Sequence, residues 1–218
     1  MKKTFYVTTA IDYVNSDPHC GHLYQKIIAD TFSRWHKSLQ EDVFFLTGTD
    51  EHGQKLFNAA KEQGLTPQQL VDKNSKKFKE AWDLMNIKPN RFIRTTDKDH
   101  IKTAQDITIK IYNKGDIYKG VYEGLYCEGC EAYTTEKDLV NGECPFHKKP
   151  PKILKEETYF FKLSKYQDKL LEYYEKNPKF ILPLTRRNEI INRVKEGLKD
   201  LSITRTNFNW GIPFPLDK

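Results

Sequence analysis

Ala10-Ile11-Asp12-Tyr13-Val14-Asn15-Ser16-Asp17-Pro18-His19-Cys20-Gly21-His22 is the stretch that organises this chain. A short apolar run, Phe5-Tyr6-Val7-Thr8-Thr9, precedes it. An amphipathic run follows, in which Leu23, Ile27, Ile28, Phe32 and Trp35 recur at helical spacing. The pattern reads as strand, polar loop and helix, with His19-Cys20-Gly21-His22 as an H-x-G-H sequence at the helix N-terminus. Such a terminus offers backbone N–H groups and the positive end of the helix dipole, which suits phosphate. Gly21 lets a flat ligand approach the backbone where a Cβ would clash. Two imidazoles can then donate hydrogen bonds to phosphate oxygens whose charge grows in a transition state. On these four residues alone, the histidines read equally well as a helix N-cap and a surface residue.

Further along, Asp42–Thr47 reads as a second buried strand that ends in Gly48-Thr49-Asp50-Glu51-His52-Gly53. Thr66-Pro67-Gln68-Gln69 has the form of a capping box with proline at the first helical position, and its helix carries Leu70, Phe78, Trp82 and Met85 in one stripe. Arg91–Arg94 is a third strand. Thr96 and Asp99 form a second capping box before a helix that ends near Asn113-Lys114-Gly115. Strands alternating with helices imply βαβ units and a parallel sheet. Ligands of such sheets bind at the carboxyl ends of the strands, so the H-x-G-H loop and Asp50-Glu51-His52 are placed to face one crevice.

After Gly115 the character changes. Ile117–Tyr126 is rich in tyrosine and glycine and roughly alternating, as in a hairpin. Cys127-Glu128-Gly129-Cys130 follows, then 13 intervening residues, then Cys144-Pro145-Phe146-His147. A C-x2-C and a C-x2-H turn supply four ligands of the types that suit tetrahedral Zn²⁺, and with all four positions filled by protein the site is structural. Cys20 is left over. A strand over Glu157–Leu163, polar helices over roughly Lys165–Asn177 and Thr185–Asp200, and an irregular tail from Arg205 to Pro215 complete the chain.

The net charge of +6 permits a polyanionic partner such as RNA without demanding one. No apolar run approaches the ~20 residues of a membrane span. Met1-Lys2-Lys3 leads straight into a strand with no signal-peptide pattern, so the protein reads as cytoplasmic, with no membrane partner. A reducing compartment disfavours disulfides and favours the metal reading of the cysteines.

The H-x-G-H loop after the first strand, Thr47–Gly53 after the second, and the inserted four-ligand knuckle together resemble the methionyl-tRNA synthetase family of class I aminoacyl-tRNA synthetases, over essentially all 218 residues. The resemblance implies a Rossmann-type α/β fold, its first half in residues 1–115. It implies a connective-peptide insertion over 116–218 that carries the zinc knuckle (127–147) and starts the return to the catalytic fold. It implies that His19 and His22 hold the ATP phosphates and act in catalysis, and that Gly21 packs near adenine. Ala10, Ile11 and Tyr13 would line a methionine pocket, Asp50 would bind the substrate ammonium, Mg²⁺ would accompany ATP, and tRNA would be the acceptor. A carboxylate in a partly desolvated crevice needs a cationic partner, which fits Asp50. As plain structure, Asp50 reads as a helix N-cap and Tyr13 as a core aromatic.

Two departures stand out: Cys20 where the family usually has Ile or Leu, and Asp12 before the pocket tyrosine where it usually has Pro, with Asn15-Ser16 in place of Asn-Gly. The family's second half of the nucleotide fold, its lysine-rich K-M-S-K-S loop and its anticodon-binding domain have no counterpart here. The chain therefore reads as an amino-terminal portion, inactive alone. Two other functions fit parts of the sequence: a non-catalytic zinc-knuckle RNA-binding module, and a small H-x-G-H nucleotidyltransferase. The first lacks the stacked aromatic and basic pattern of a single-strand binder, and the zinc insertion speaks against the second.

Overall fold

The computed structural model describes residues 2–130, 132–134, 136–206 and 209–217, so Asn207 and Phe208 of the expected irregular tail lie outside it. The first sheet is parallel, as the β/α alternation requires. Strand β1 (Thr4–Thr8) runs beside β3 (Asp42–Asp50), with Thr4 opposite Asp42 and Thr8 opposite Leu46. After a break the chain rejoins β3 as β2 (Asp12–Tyr13), with Tyr13 opposite Asp50. Strand β4 (Arg91–Arg94) pairs with β3 over Leu46–Thr49. Thr49 partners both Asp12 and Arg94, so β3 is central. Helix α1 (Cys20–Ser38) crosses from β2 to β3, and α2 (Gln54–Glu62) and α3 (Pro67–Leu84) cross from β3 to β4.

Strand β3 runs three residues past the expected Thr47. The segment Thr47-Gly48-Thr49 looks loop-like because it is polar, but its hydroxyls are paired inside the fold: Thr47 with Thr9 at 2.7 Å and Thr49 with Glu51 at 2.6 Å. Gly48 is required there, since a Cβ would lie 1.8 Å from the Ile93 carbonyl oxygen of β4. Helix α2 has no sequence signal: it starts behind Gly53, at φ 108°, with no side-chain cap. The Thr66 capping box forms as expected, with Gln69 N–H donating to Thr66 Oγ1 at 3.2 Å and Thr66 N–H to Gln69 Oε1 at 2.9 Å. The Thr96–Asp99 box does not form. Asp97 is the N-cap of α4 (Lys98–Asn113), Asp99 is ion-paired with Arg91, and Thr96 donates to Glu51 at 2.5 Å.

The core lies on one face of the sheet, where Val14 and Phe45 meet Leu56 from α2 and Leu70, Phe78 and Trp82 from α3. Met85, expected in the α3 stripe, is exposed beyond the helix end. The apolar side of α1 departs further from expectation. Leu23 packs on the core, but Ile27, Ile28, Phe32 and Trp35 are exposed, and the helix buries Lys26, Ala29, Asp30 and Ser33 instead. Tyr6 and Phe44, on the opposite face of the sheet from Phe45, are also exposed. Parallel sheets are ordinarily covered on both faces; among the described residues this one is covered on one.

The second sheet is antiparallel, in the order β6-β5-β7-β8: β5 (Ile117–Cys127), β6 (Ala132–Thr134), β7 (Lys152–Phe161) and β8 (Leu201–Ser202). Strand β7 starts five residues before the expected Glu157 because β5 pairs with it from Ile117–Phe161 to Tyr126–Lys152. Two helices follow, α5 (Gln167–Lys176) and α6 (Leu184–Lys195), the latter ending before Gly197 at φ 106° rather than near Asp200. No helix among the described residues is long and apolar enough to cross a membrane.

Candidate functional site

His19 is the N-cap of α1, in extended conformation, and the capping is reciprocal. Its Nδ1 accepts the Gly21 N–H at 3.1 Å, while its own N–H donates to His22 Nδ1 at 3.2 Å. With Nδ1 accepting in both rings, each neutral imidazole carries its proton on Nε2. Two N–H donors are thereby set on the ring edges opposite the capping bonds. The N-cap role and the phosphate role, which compete on the sequence, use different nitrogens of the same ring. The rings stack at 3.7 Å, and His22 lies 5.1 Å from Phe78. Burial, in opposition to the nearby Asp12, lowers the pKa of His22 below the ordinary imidazole value, which favours the neutral donor. Gly21 has a second reason to be glycine: a Cβ would stand 3.0 Å from His19 Cε1 and press on the capping ring.

The carboxyl end of β3 lies next to this loop's entry. Tyr13 and Asp50 are register partners across β2 and β3, so the structure brings together the two residues expected at an amino-acid pocket. Tyr13 also packs on the core, as its core-aromatic reading expects. Ala10 and Ile11, just before β2, are exposed. Asp50 is not a helix N-cap: it ends a strand, and α2 begins only at Gln54 behind Gly53.

Four residues to which the sequence assigned no individual role, Glu51, Arg94, Trp210 and Lys26, support this crevice. Glu51 is fully buried and accepts from Thr49, Thr96 and, at 2.7 Å, Arg94. Arg94 also donates to Asp72 at 2.6 Å, which ties β4 to α3. Trp210 donates from its indole to the Glu51 carbonyl at 2.6 Å and lies 5.4 Å from the His52 ring, so the far end of the chain returns to the end of β3. Lys26 is buried against Asp12 at 2.5 Å. Glu51 sat inside a quoted motif but pointed nowhere by spacing; Trp210 and Lys26 act over sequence distance, which periodicity does not register.

The second constellation is the cysteine–histidine cluster. Sγ of Cys127, Cys130 and Cys144 and Nδ1 of His147 all lie within 4.8 Å of one another. The Cys130–Cys144 sulfurs are 3.5 Å apart, and the three sulfurs stand 3.8, 3.4 and 3.6 Å from His147 Nδ1. A tetrahedral site with bonds of about 2.3 Å to sulfur and about 2.0–2.1 Å to nitrogen has edges of about 3.8 Å (S–S) and about 3.6 Å (S–N). The donors are therefore spaced to hold one metal ion. Cys127 and Cys130 stand at the turn of the β5–β6 hairpin, where Cys130 N–H donates to Cys127 Sγ at 3.4 Å. Gly129 is needed for closure, because a Cβ would lie 2.3 Å from His147 Cγ. Burial and contact with Cys144 and Cys127 push Cys130 up to about 12, whereas Cys144, although burial opposes it, is held at about 6 by the bond to His147.

Known proteins resemble this chain over almost its whole length. The family model described as tRNA synthetases class I (M) matches residues 5–150 and 134–218. The methionine–tRNA ligase of Streptomyces coelicolor is 49% identical over 99% of this chain, which spans 42% of that protein. The methionine–tRNA ligase of Campylobacter jejuni is 53% identical over 96% of this chain, which spans 33% of it. The structure of Mycobacterium tuberculosis methionyl-tRNA synthetase in complex with methionyl-adenylate superposes with a TM-score of 0.94 at 44% identity, covering 98% of this chain and 43% of that one. The chain thus spans less than half the length of each of these relatives.

Proposed function

This chain belongs to the class I tRNA synthetases (M), and we propose that it is the amino-terminal portion of a methionine–tRNA ligase, carrying the H-x-G-H half of the site that activates methionine with ATP for transfer to tRNA. The observation that carries the proposal is the reciprocal cap at His19 and His22, which presets two Nε2–H donors at the end of the loop that follows the Tyr13–Asp50 pair. In this reading the methionine carboxylate attacks the α-phosphorus, an acyl–phosphate bond forms, and pyrophosphate leaves. His19 and His22 donate to the phosphate oxygens as charge builds. Gly21 lies beside adenine. Asp50 takes the ammonium, while Ala10, Ile11 and Tyr13 wall the amino acid. Mg²⁺ bound with ATP supplies charge neutralisation on the phosphates.

We assign Zn²⁺ to Cys127, Cys130, Cys144 and His147 as a structural ion, on the donor set and spacing. Residues 1–115 form the first half of a Rossmann-type catalytic domain, and 116–218 form a connective-peptide insertion that ends by returning to it; the Trp210–Glu51 bond supports this division. The exposed Tyr6, Phe44, Phe32 and Trp35 mark surface that the remaining portion of the synthetase covers. Adenylation needs that portion, since a doubly wound site is completed by two halves meeting at a switch point. The compartment is the cytoplasm.

The test is a footprint by NMR, with a non-hydrolysable methionyl-adenylate analogue added to isotope-labelled chain. Shifts centred on His19, Gly21, His22, Tyr13 and Asp50 are expected. Shifts confined to the knuckle, or none at these five residues at millimolar analogue, would refute the proposal.

A further inference from the structure

Lys26 has no exposed side-chain surface. A buried ammonium is costly unless it is paired and fully hydrogen-bonded. Here Nζ donates to Asp12 Oδ1 at 2.5 Å, to Gln25 Oε1 at 2.9 Å and to the Ala10 carbonyl at 3.1 Å. An ammonium has three N–H donors, so its set is complete. The Trp82 ring centroid lies 5.6 Å away, within cation–π range. A buried lysine so thoroughly satisfied is held for what it holds.

Two of its three acceptors, the Ala10 carbonyl and Asp12, lie in the segment that also carries Ile11 and Tyr13. The far end of that segment is held by the core, where Tyr13 and Val14 pack and Asn74 donates to the Val14 carbonyl at 2.7 Å; Lys26 holds its near end. Strand β2 has two residues, the Ala10 carbonyl also accepts the hydroxyl of the adjacent Thr9, at 2.8 Å, and the Val14 N–H reaches the Asp50 carbonyl at a long 3.4 Å. Lys26 itself sits one helical turn after His22, on the helix whose first turn presents both histidines. An apolar pair of similar volume would fill this space at no greater cost to stability, but it could not grip a carbonyl.

We propose that Lys26 is a positioning residue: its ammonium ties the Ala10–Tyr13 wall to α1 and so fixes the amino-acid site relative to the phosphate-facing histidines. The proposal rests on the methionine-site reading above. Asp12, the departure from the family pattern, is the counter-charge that lets a lysine do this inside the fold.

The test uses the full chain, with three variants: Lys26→Met, Asp12→Asn/Lys26→Met, which strands no buried charge, and Lys26→Arg, which keeps charge and donors. Two readings are taken by NMR, amide hydrogen exchange and the binding of ¹³C-methyl-labelled L-methionine. In the double variant, exchange at Asp12–Val14 should rise at least tenfold and methionine should bind at least tenfold more weakly, while Phe45 and Thr47 stay protected and ATP affinity changes less than twofold. Lys26→Arg should recover most of both losses. Unchanged local exchange and methionine affinity in the double variant would overturn the proposal. So would loss of protection throughout β3, which would mark the pair as general scaffolding. Raised local exchange with no methionine binding by any version, wild type included, would uphold the positioning role and refute the amino-acid assignment instead.

Discussion

Replacing Gly129 with alanine should cost the knuckle its metal affinity through one contact. The added Cβ would lie 2.3 Å from His147 Cγ and 2.4 Å from Cδ2. Ordinary carbon contacts begin near 3.5 Å, so the imidazole must retreat by about 1.2 Å, against the roughly 0.2 Å that a metal–ligand distance tolerates. Gly129 also lies between Cys127 and Cys130, whose spacing and N–H···S bond leave the turn little room to absorb the shift. The ring therefore leaves the coordination sphere. If a structural zinc binds with about 10–16 kcal/mol over four ligands, losing one removes about 3 kcal/mol, or about two orders of magnitude in affinity. Competition against a chromogenic chelator, with wild type and Gly129→Ala side by side, measures this directly. Equal zinc affinity in the two proteins would refute both the assignment of His147 as a ligand and the geometric argument.

Three further outcomes follow from the structure. His22 should titrate below the ordinary imidazole value in the free chain and move upward when ATP or tripolyphosphate is added, read from its ring resonances by NMR; an upward shift absent at saturating ATP would contradict the phosphate role. Because its folded pKa is depressed, His22 contributes stability that is present above about pH 6.5 and is lost as the pH falls through the folded value, which a chemical-denaturation series in pH checks against His22→Gln. Gly48→Ala should destabilise the first sheet by about 3 kcal/mol in urea unfolding, since its Cβ would meet the Ile93 carbonyl at 1.8 Å, whereas Thr66→Ala, which removes only a cap bond, should cost about 1 kcal/mol.

The parts legible in the sequence are those whose chemistry is local. The H-x-G-H loop, the paired knuckle ligands and the Thr66 box each fix their geometry within a few residues, and each folds as its spacing says. The outward side of α1 was not legible. Periodicity marks which side of a helix is apolar, but not what covers it. The side that is buried carries polar groups satisfied from far away: Asp30 accepts the Lys88 N–H at 3.0 Å, 58 residues on, and Lys26 pairs with Asp12. The polar end of β3 and the uncapped start of α2 were hidden for a related reason, since Thr47, Thr49 and Glu51 find their partners only once the sheet and α3 are assembled. At Thr96 the local pattern was outweighed: the buried Glu51 takes its hydroxyl, and Asp97 caps α4 without a side-chain bond.

In the function proposed above, these 218 residues hold one half of a methionine-activating site. Methionine-dependent ATP–pyrophosphate exchange measures it most directly, run on the chain alone and with the complementary carboxyl-terminal portion of a methionine–tRNA ligase added in trans. The expected result is no exchange above background from the chain, and exchange on mixing that His22→Ala in this chain abolishes. Robust methionine-dependent exchange by the chain alone, or exchange in the mixture that is indifferent to His22→Ala, would contradict the account.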